Sequence, residues 1–405
     1  MNEMHHRMAR TCMVYTSAAL LALLPVTACG DATEDVPTKT VDTSALQPGS
    51  YPTEPRNVAD RKPANAASIR EAIRLAESMP LAMEVDKQYV YNQSSSGKIY
   101  APELPPQQGD SVWVENFGAV IPGLVVGWTS NAQQREDFAL GRNIDQTVLR
   151  FSNPDQAKHA AKVLSEDNRK DSPAKRDVRI PGHDAAISYV TEQDSVVTWM
   201  PHDDLLIYTF VTPGLEVPPD VDYVIGMTKT ALDKNIEMLA GYQRTPTDEM
   251  PDLAIDTDGL LGRTLPVDDM NKSGATEGVY SPHAALHLRG RADVLKRAFD
   301  DAGVDLVADA GARVYRSSDS AAAYRLVAAL IDQLDPRYET TDAPAGMPEA
   351  KCFKKSDRRS SRFTSIPQFQ CLFTNGRYVA VVDAAQIQDL HQKASAQYLL
   401  LTDER

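Results

Sequence analysis

Two His-Asp pairs are the residues of this chain best suited to acid–base or metal chemistry. His183 and Asp184 precede one predicted strand, and His202 and Asp203 follow another. If these strands are neighbours in a sheet, the four side chains could cluster and activate a water molecule. In the competing interpretation, His202 and Asp203 occupy a hairpin turn, where Asp bonds to nearby backbone. We keep these four residues as candidate catalytic residues and predict no metal site and no cofactor.

Other residues of similar chemistry are predicted to have structural roles. His283 and His287 are four residues apart, but the stretch after Pro282 is predicted to be a strand, in which this spacing separates two side chains by about 13 Å. The stretch that begins at Asp256 resembles a calcium loop. Such a loop needs a glycine at its sixth position and a glutamate at its twelfth, where this chain has Leu261 and Val267, so a turn is predicted instead. The sequence also lacks the common nucleotide-binding, hydrolase and zinc-protease motifs.

Large aromatic residues offer a second possible kind of site, a ligand pocket. Rings line many carbohydrate and lipid sites, but in a chain with 7% aromatic residues they more often fill the core. Both interpretations stay open for four residues: Trp113, Phe117, Trp128 and Trp199.

The N-terminal sequence predicts export and a lipid anchor. A basic start and an apolar run end in Val26-Thr-Ala-Cys29, after which the chain is polar. This arrangement resembles a bacterial lipobox, in which the signal peptide (1–28) is removed and Cys29 carries the acyl chains. A membrane-spanning helix is the alternative for the apolar run, which is short for that role. A chance cysteine at an ordinary cleavage site is the alternative for Cys29.

The remaining cysteines agree with a location outside the cytoplasm. Besides Cys12 in the signal peptide and Cys29, the chain has only Cys352 and Cys371. An even number of cysteines in an oxidising compartment predicts a disulfide, with two buried thiols as the alternative. The net charge of −14 argues against nucleic acid as a partner. Contact with the membrane is therefore expected through the lipid anchor.

Composition and hydrophobic patterning predict five segments along the chain. Residues 29–66, rich in Thr, Asp and Pro, follow the signal peptide as a flexible tether. An N-terminal domain (67–245), a linker (246–271) and a C-terminal domain (272–405) complete the chain. The mixture of short strands and separate helices predicts an α+β fold, in which each domain has a mostly antiparallel sheet with helices packed chiefly on one face.

The two predicted domains repeat one order of elements. In the first, a strand ending at Arg150 is followed by a helix, a loop, a hairpin and a closing helix. The same order follows Arg316, at an offset of about 166 to 173 residues. This repetition indicates an ancient duplication, with convergence of two ordinary α+β units as the alternative.

Several short motifs together resemble a known family. They include "VDTSALQPGSYPTEPR", "EAIRLAESM", "IPGHDAA", "GVYSPHAALHL", "YVAVV" and "DLHQKASAQYLLL". The chain resembles the two-domain actinobacterial lipoproteins of unknown function of the DUF7373 type, although residues 93–111 look like an insertion. The resemblance implies two domains and a place in the cell envelope, and it implies no reaction.

Two functions follow from these observations. The first is a non-catalytic lipoprotein on the outer face of the cytoplasmic membrane that binds a partner protein or an apolar envelope molecule. The second is a hydrolase of cell-wall or lipid substrates that uses two His-Asp pairs, His183 with Asp184 and His202 with Asp203. A close His/Asp cluster in a cleft would favour the hydrolase, and an apolar-lined cavity would favour the binding protein.

Overall fold

The structure is a computed structural model that describes residues 40–61, 65–137, 141–267, 277–288, 290–356 and 367–402. Residues Lys39–Arg405 form one compact unit. Among the described residues, no helix is both long enough and apolar enough to cross a membrane.

The described residues form two antiparallel sheets. The strands of the first sheet are β1 (Tyr91–Asn92), β2 (Ile99–Tyr100), β3 (Leu124–Gln133), β4 (Asn143–Phe151), β5 (Ala174–Asp177), β6 (Ile187–Thr191), β7 (Val196–His202) and β8 (Leu205–Val211). Those of the second are β9 (Gly278–Tyr280), β10 (Leu306–Asp309), β11 (Arg313–Arg316), β12 (Tyr338–Thr341), β13 (Lys351–Lys355), β14 (Phe369–Asn375) and β15 (Tyr378–Ala384).

The α-helices are distributed over both halves of the chain. They are α1 (Ala66–Glu77), α2 (Ala82–Val85), α3 (Phe117–Val120), α4 (Pro154–Asp171), α5 (Val221–Leu239), α6 (Pro282–Leu286), α7 (Ala292–Ala302), α8 (Ser320–Ile331) and α9 (Ile387–Leu400). Asn153 followed by Pro154 predicts the start of a helix, and the N-cap is present, because the Asn153 side chain accepts a hydrogen bond from the backbone N–H of Gln156 at 3.0 Å.

The two sheets have the same strand order. The path β3-β4-β8-β7-β6-β5 in the first sheet corresponds to β10-β11-β15-β14-β13-β12 in the second. The helices follow the same plan, since α4 and α8 each come after the second strand of the path and α5 and α9 each close it. The α+β class with two related sheets is confirmed, and the shared topology is what a duplication would produce.

Helices cover both faces of each sheet, whereas the sequence placed them chiefly on one. In β8, Leu205 and Ile207 belong to the cluster that contains α1 and α5, while Leu206 and Tyr208 belong to the cluster that contains α4. In β15, Val381 faces the α7 and α8 side and Val382 faces α9. The physical reason is that these strands are apolar on both faces, so each face needs a cover.

The two halves share one hydrophobic core. Ile73 of α1, Tyr280 of β9 and Leu295 of α7 belong to the same buried cluster. The stretch predicted as a linker is also buried, because Leu260 and Leu261 lie in a second cluster, beneath α9. Each half therefore builds its own sheet with a cluster of its own on one face, and a third cluster of described residues joins the two halves.

Residues 40–61, which the sequence placed in the tether, pack against the C-terminal half. The backbone N–H of Asp42 donates to the carbonyl oxygen of Gly346 at 2.9 Å, and the Tyr51 hydroxyl donates to Asp389 at 2.6 Å. Leu46 is buried in the same cluster as α9. A few apolar and polar anchors thus hold a segment whose overall composition is typical of a flexible linker.

A buried carboxylate joins α1 to the first sheet. The sequence predicts a capping box from Ser68 to Glu71, but the helix begins earlier, at Ala66. Glu71 is fully buried, and Arg150 donates to its Oε1 from Nη1 at 3.0 Å. Thr245 donates to Oε1 through its backbone N–H (3.1 Å) and to Oε2 through its hydroxyl (2.7 Å). The Tyr242 hydroxyl also donates to Oε1.

Candidate functional site

A pocket of about 810 Å³ lies where the second sheet meets the edge of the first. Its floor is one row of residues across neighbouring strands, because Arg313 pairs with Val381 and Val381 pairs with Leu372. Paired residues of an antiparallel sheet point to the same face. Tyr315 lies two residues after Arg313 and therefore shares that face. The floor is therefore apolar at Val381 and Leu372 and charged at the Arg313 end.

The N-terminal half supplies one wall of the pocket. Tyr91 in β1 pairs with Gln133 in β3, and it also forms an isolated β-bridge with Arg291. The guanidinium carbon of Arg291 lies 4.7 Å from the centre of the Tyr91 ring, a cation–π distance. The site is thus assembled from both halves of the chain.

The cationic side chains of the pocket already have carboxylate partners. Arg291 donates to both oxygens of Asp293, at 2.8 and 3.0 Å. Arg313 donates through Nε to Asp309 at 3.2 Å. The pocket therefore presents two partly neutralised guanidinium groups rather than a strongly basic surface.

Apolar side chains from the helices form the opposite wall. Leu295 of α7, Leu330 of α8 and Leu334 just beyond α8 line the pocket. Together with Leu372 and Val381 on the floor, they provide an apolar surface beside the polar groups. Such a combination of apolar walls and a few polar groups is typical of small-molecule sites.

In the described part of the chain, the four candidate catalytic residues form no hydrogen-bonded or ion-paired cluster. His183 is buried and its Nε2 lies 2.9 Å from Asp233 Oδ1 on α5. His202 ends β7, and Asp203 occupies the following hairpin turn with a positive φ of 51°. Among the described residues, no hydrogen bond or ion pair links His183 or Asp184 to His202 or Asp203. The turn interpretation describes His202 and Asp203 better than the catalytic one.

The strand predicted around His283 and His287 is wrong. Ser281 caps a short helix, α6, by accepting a hydrogen bond from the backbone N–H of Ala284, and Pro282 is its first residue. The ring centres of His283 and His287 are consequently 5.5 Å apart. Pro282 suits the first turn of a helix as well as the approach to a strand.

The described residues around this pair do not form a metal site. Nε2 of His283 lies 3.0 Å from Glu84, and no group of three or more potential ligands occurs in the described ranges. His287 is fully buried, and its ring packs edge-on against Trp128 at 6.0 Å between centres. Burial, together with the neighbouring His283, lowers the pKa of His287 well below its ordinary value.

We expect acid to destabilise the protein through His287. Because its folded-state pKa lies below the unfolded value of about 6.5, the unfolded state binds more protons once the pH falls below that value. This contribution to stability is therefore complete above about pH 6.5 and decreases on acidification, by up to about 1.4 kcal/mol per pH unit. Urea unfolding between pH 5 and 8 measures it. His287→Phe should reduce the slope of stability against pH in this range.

The aromatic residues singled out by the sequence mostly fill the core. Trp128 and Trp199 are completely buried on opposite faces of the first sheet. Phe117 is also buried, while Trp113 is partly exposed beside a shallow pocket of about 400 Å³. None of the four lines the pocket between the sheets; the core interpretation describes Trp128 and Trp199 better, whereas Trp113 and Phe117 line the shallow pocket.

The two C-terminal cysteines are placed to form the predicted disulfide. Cys352 and Cys371 are directly paired in the β13–β14 ladder, and both are buried. Their Cα atoms are 4.1 Å apart, with the sulfur atoms at bonding distance. Cys29 lies outside the described residues, so its lipidation stays a prediction.

Sequence reasoning missed the residues that line the pocket. Arg313 and Gln370 sit in ordinary strands, and Arg291 and Gln133 are more than 150 residues apart in the chain. The one available signal was the arginine at the start of β11, whose sequence is Arg-Val-Tyr-Arg. Only the pairing of the strands places these side chains around one cavity.

Comparison with known proteins supports the two-part organisation. No curated protein matches the chain significantly. Among solved structures, the chain is similar to the extracellular domain of PknH from Mycobacterium tuberculosis, with 12% identity and a TM-score of 0.26 over 41% of this chain and 96% of that one. Residues 58–255 match the N-terminal DUF7373 domain of unknown function, and residues 260–404 match the C-terminal one. The chain therefore belongs to the two-domain DUF7373 family.

Proposed function

We propose that the protein binds a small amphipathic molecule of the cell envelope without transforming it. The lipidated Cys29 holds it at the outer face of the cytoplasmic membrane, and the pocket between the two sheets is the binding site. The observation that carries this proposal is the 810 Å³ volume of the pocket, lined partly by leucines and partly by polar side chains. This volume falls within the range of about 300 to 1,000 Å³ that is usual for ligand sites.

Two further observations favour a binding protein for small molecules. Large apolar side chains are seldom exposed in the described part of the chain, where four stand out: Val120, Leu215, Val217 and Tyr324. A stable protein–protein interface usually presents a larger apolar patch. In addition, no described hydrogen bond or ion pair joins His183 and Asp184 to His202 and Asp203, the residues that could support hydrolysis.

The anchor can be tested with Cys29→Ala. Because the acyl chains attach to its sulfur, the variant should accumulate as an uncleaved precursor and lose acyl-dependent partitioning into a detergent phase. Cys12→Ala, which changes a cysteine within the signal peptide, is the matched control and should behave as wild type. Normal signal cleavage and unchanged partitioning of Cys29→Ala would rule out the anchor.

The pocket can be tested by filling it with a larger side chain. Leu334→Trp adds a ring at a partly exposed position of the wall, and Tyr324→Trp makes a similar change at an exposed position of α8 outside the pocket. Mass spectrometry of molecules that co-purify with the protein should show an amphipathic species with wild type and Tyr324→Trp. We expect at least a tenfold loss of that species with Leu334→Trp, on the order of the effect of a blocked apolar contact.

Unfolding curves of both tryptophan variants must accompany this comparison. If Leu334→Trp is folded and retains the same co-purified species as wild type, the pocket is not the binding site and the proposal fails.

A further inference from the structure

We infer that the ligand of this pocket carries several hydroxyl groups, as a sugar head group does, beside an apolar portion. The inference rests on the proposed binding function and adds the chemistry of the head group. It derives from the hydrogen-bonding state of the polar side chains that line the pocket.

Four amide side chains line the pocket, and each already donates from its NH₂ group to the protein. They are Asn92, Gln133, Gln333 and Gln370. Their acceptors are, in the same order, Leu286 O at 2.7 Å, Glu136 O at 2.9 Å, Ala329 O at 3.1 Å and Asp383 Oδ1 at 2.6 Å.

These partners determine which way each amide is oriented. A backbone carbonyl or a carboxylate can only accept, so the nitrogen of each amide must face it and the oxygen must face elsewhere. Each amide oxygen is therefore directed away from that partner and can accept a hydrogen bond, while the amide nitrogen keeps at most one further N–H to donate.

Gln133 shows this most clearly. The residue is only 6% exposed, and its Oε1 is buried and accepts no hydrogen bond from any described residue. A buried acceptor without a donor is costly, by about 1 to 3 kcal/mol, and native structures contain few of them. A donor on a ligand would satisfy this group.

The carboxylates of the rim add further acceptors. Glu136 and Asp332 line the pocket, are exposed, and form no ion pair with a described residue. Donors are also present, because a guanidinium has five N–H groups and the described bonds of Arg291 to Asp293 use two of them.

A hydroxyl-bearing head group fits this mixture better than a charged one. A hydroxyl donates to amide and carboxylate oxygens and accepts from a guanidinium. An anionic head would lie close to Glu136 and Asp332, whereas a quaternary ammonium has no N–H to donate and would lie close to Arg291 and Arg313. The leucines of the opposite wall accommodate an apolar chain or ring.

The test compares three probes with the same eight-carbon tail and different heads. Octyl β-glucopyranoside, octyltrimethylammonium and octyl sulfate are titrated calorimetrically, each below its micelle concentration, into residues 30–405 produced without signal or lipid. All described residues follow position 39, so this chain retains the complete pocket. We expect the glucoside to bind at least about tenfold more tightly than either charged probe, because a site built for hydroxyl groups rejects ligands that lack them.

Gln133→Leu removes the unpaired acceptor, and Gln134→Leu makes the same change at the next residue, outside the pocket. The first variant should weaken glucoside binding about five- to tenfold and leave the charged probes unaffected. The second should match wild type, and Leu334→Trp should abolish binding.

Any result other than tighter binding of the glucoside overturns the inference. Equal binding of the three probes, or a preference for a charged one, excludes hydroxyl recognition but leaves the binding function intact. Absence of binding by all three also excludes it, and the co-purification experiment then decides the proposed function separately.

Discussion

Replacing Glu71 with Gln is expected to lower the free energy of unfolding by about 3 to 5 kcal/mol, the usual cost of removing one member of a buried ion pair. The side chain is completely buried, and Arg150, whose side chain is only 8% exposed, donates to it at 3.0 Å. The variant would leave the Arg150 charge with a weakened partner. Urea unfolding at pH 7.5 measures the difference.

Two further variants show whether the loss of stability comes from the ion pair or from any change of charge on helix α1. Glu77→Gln changes an exposed position of the same helix and should alter stability by no more than about 0.5 kcal/mol. The double variant Glu71→Gln, Arg150→Met removes both buried charges and should recover part of the loss, since Asp204, which also pairs with Arg150, keeps Arg244 at 2.7 Å and Arg74, which also pairs with Glu71, is partly exposed. Equal stabilities of Glu71→Gln and Glu77→Gln would show that the buried carboxylate contributes little.

Loss of the Cys352–Cys371 disulfide is expected to cost about 3 kcal/mol, because the bridge closes a loop of about twenty residues in the unfolded chain. The separation of the cysteines is 19 residues, and the pair lies in the middle of the β13–β14 ladder. Unfolding of the variant Cys352→Ala, Cys371→Ala measures the loss.

Reduction provides an internal control for this variant. A reductant should lower the stability of the wild type to about that of the double alanine variant and should leave the variant itself unchanged. Thiol labelling of denatured, unreduced protein followed by peptide mapping reports the bridge directly. Labelling of both Cys352 and Cys371 under these conditions would show that they are free thiols.

The pocket and the buried group around Glu71, which includes Arg150, Tyr242 and Thr245, are both assembled from segments that are distant in the chain. Examples are Gln133 and Arg291 in the pocket, and Glu71 and Thr245 in the cluster. Variants in the cluster should therefore be compared for ligand binding only after their folding has been measured.

Local sequence patterns determined the elements and their order. Asn153 followed by Pro154 marked the start of α4, because a side-chain acceptor and a proline both suit a helix N-terminus. The apolar runs "AAISYV", "VVTWM", "LLIYTFV" and "YVAVV" predict the strands β6, β7, β8 and β15, and the repeated order of elements predicts two similar sheets. These features depend on neighbouring residues, so the sequence alone reveals them.

Tertiary structure alone decided what the polar residues do. Glu71 had the spacing of a capping box, yet packing placed it against Arg150, which is 79 residues away. His283 and His287 met in a short helix because Ser281 capped it and α6 could pack against α1. The pocket arose from strand register and from the docking of β1 beside residue 291. Such contacts depend on which surfaces meet, and hydrophobic periodicity within one segment carries no information about its partner.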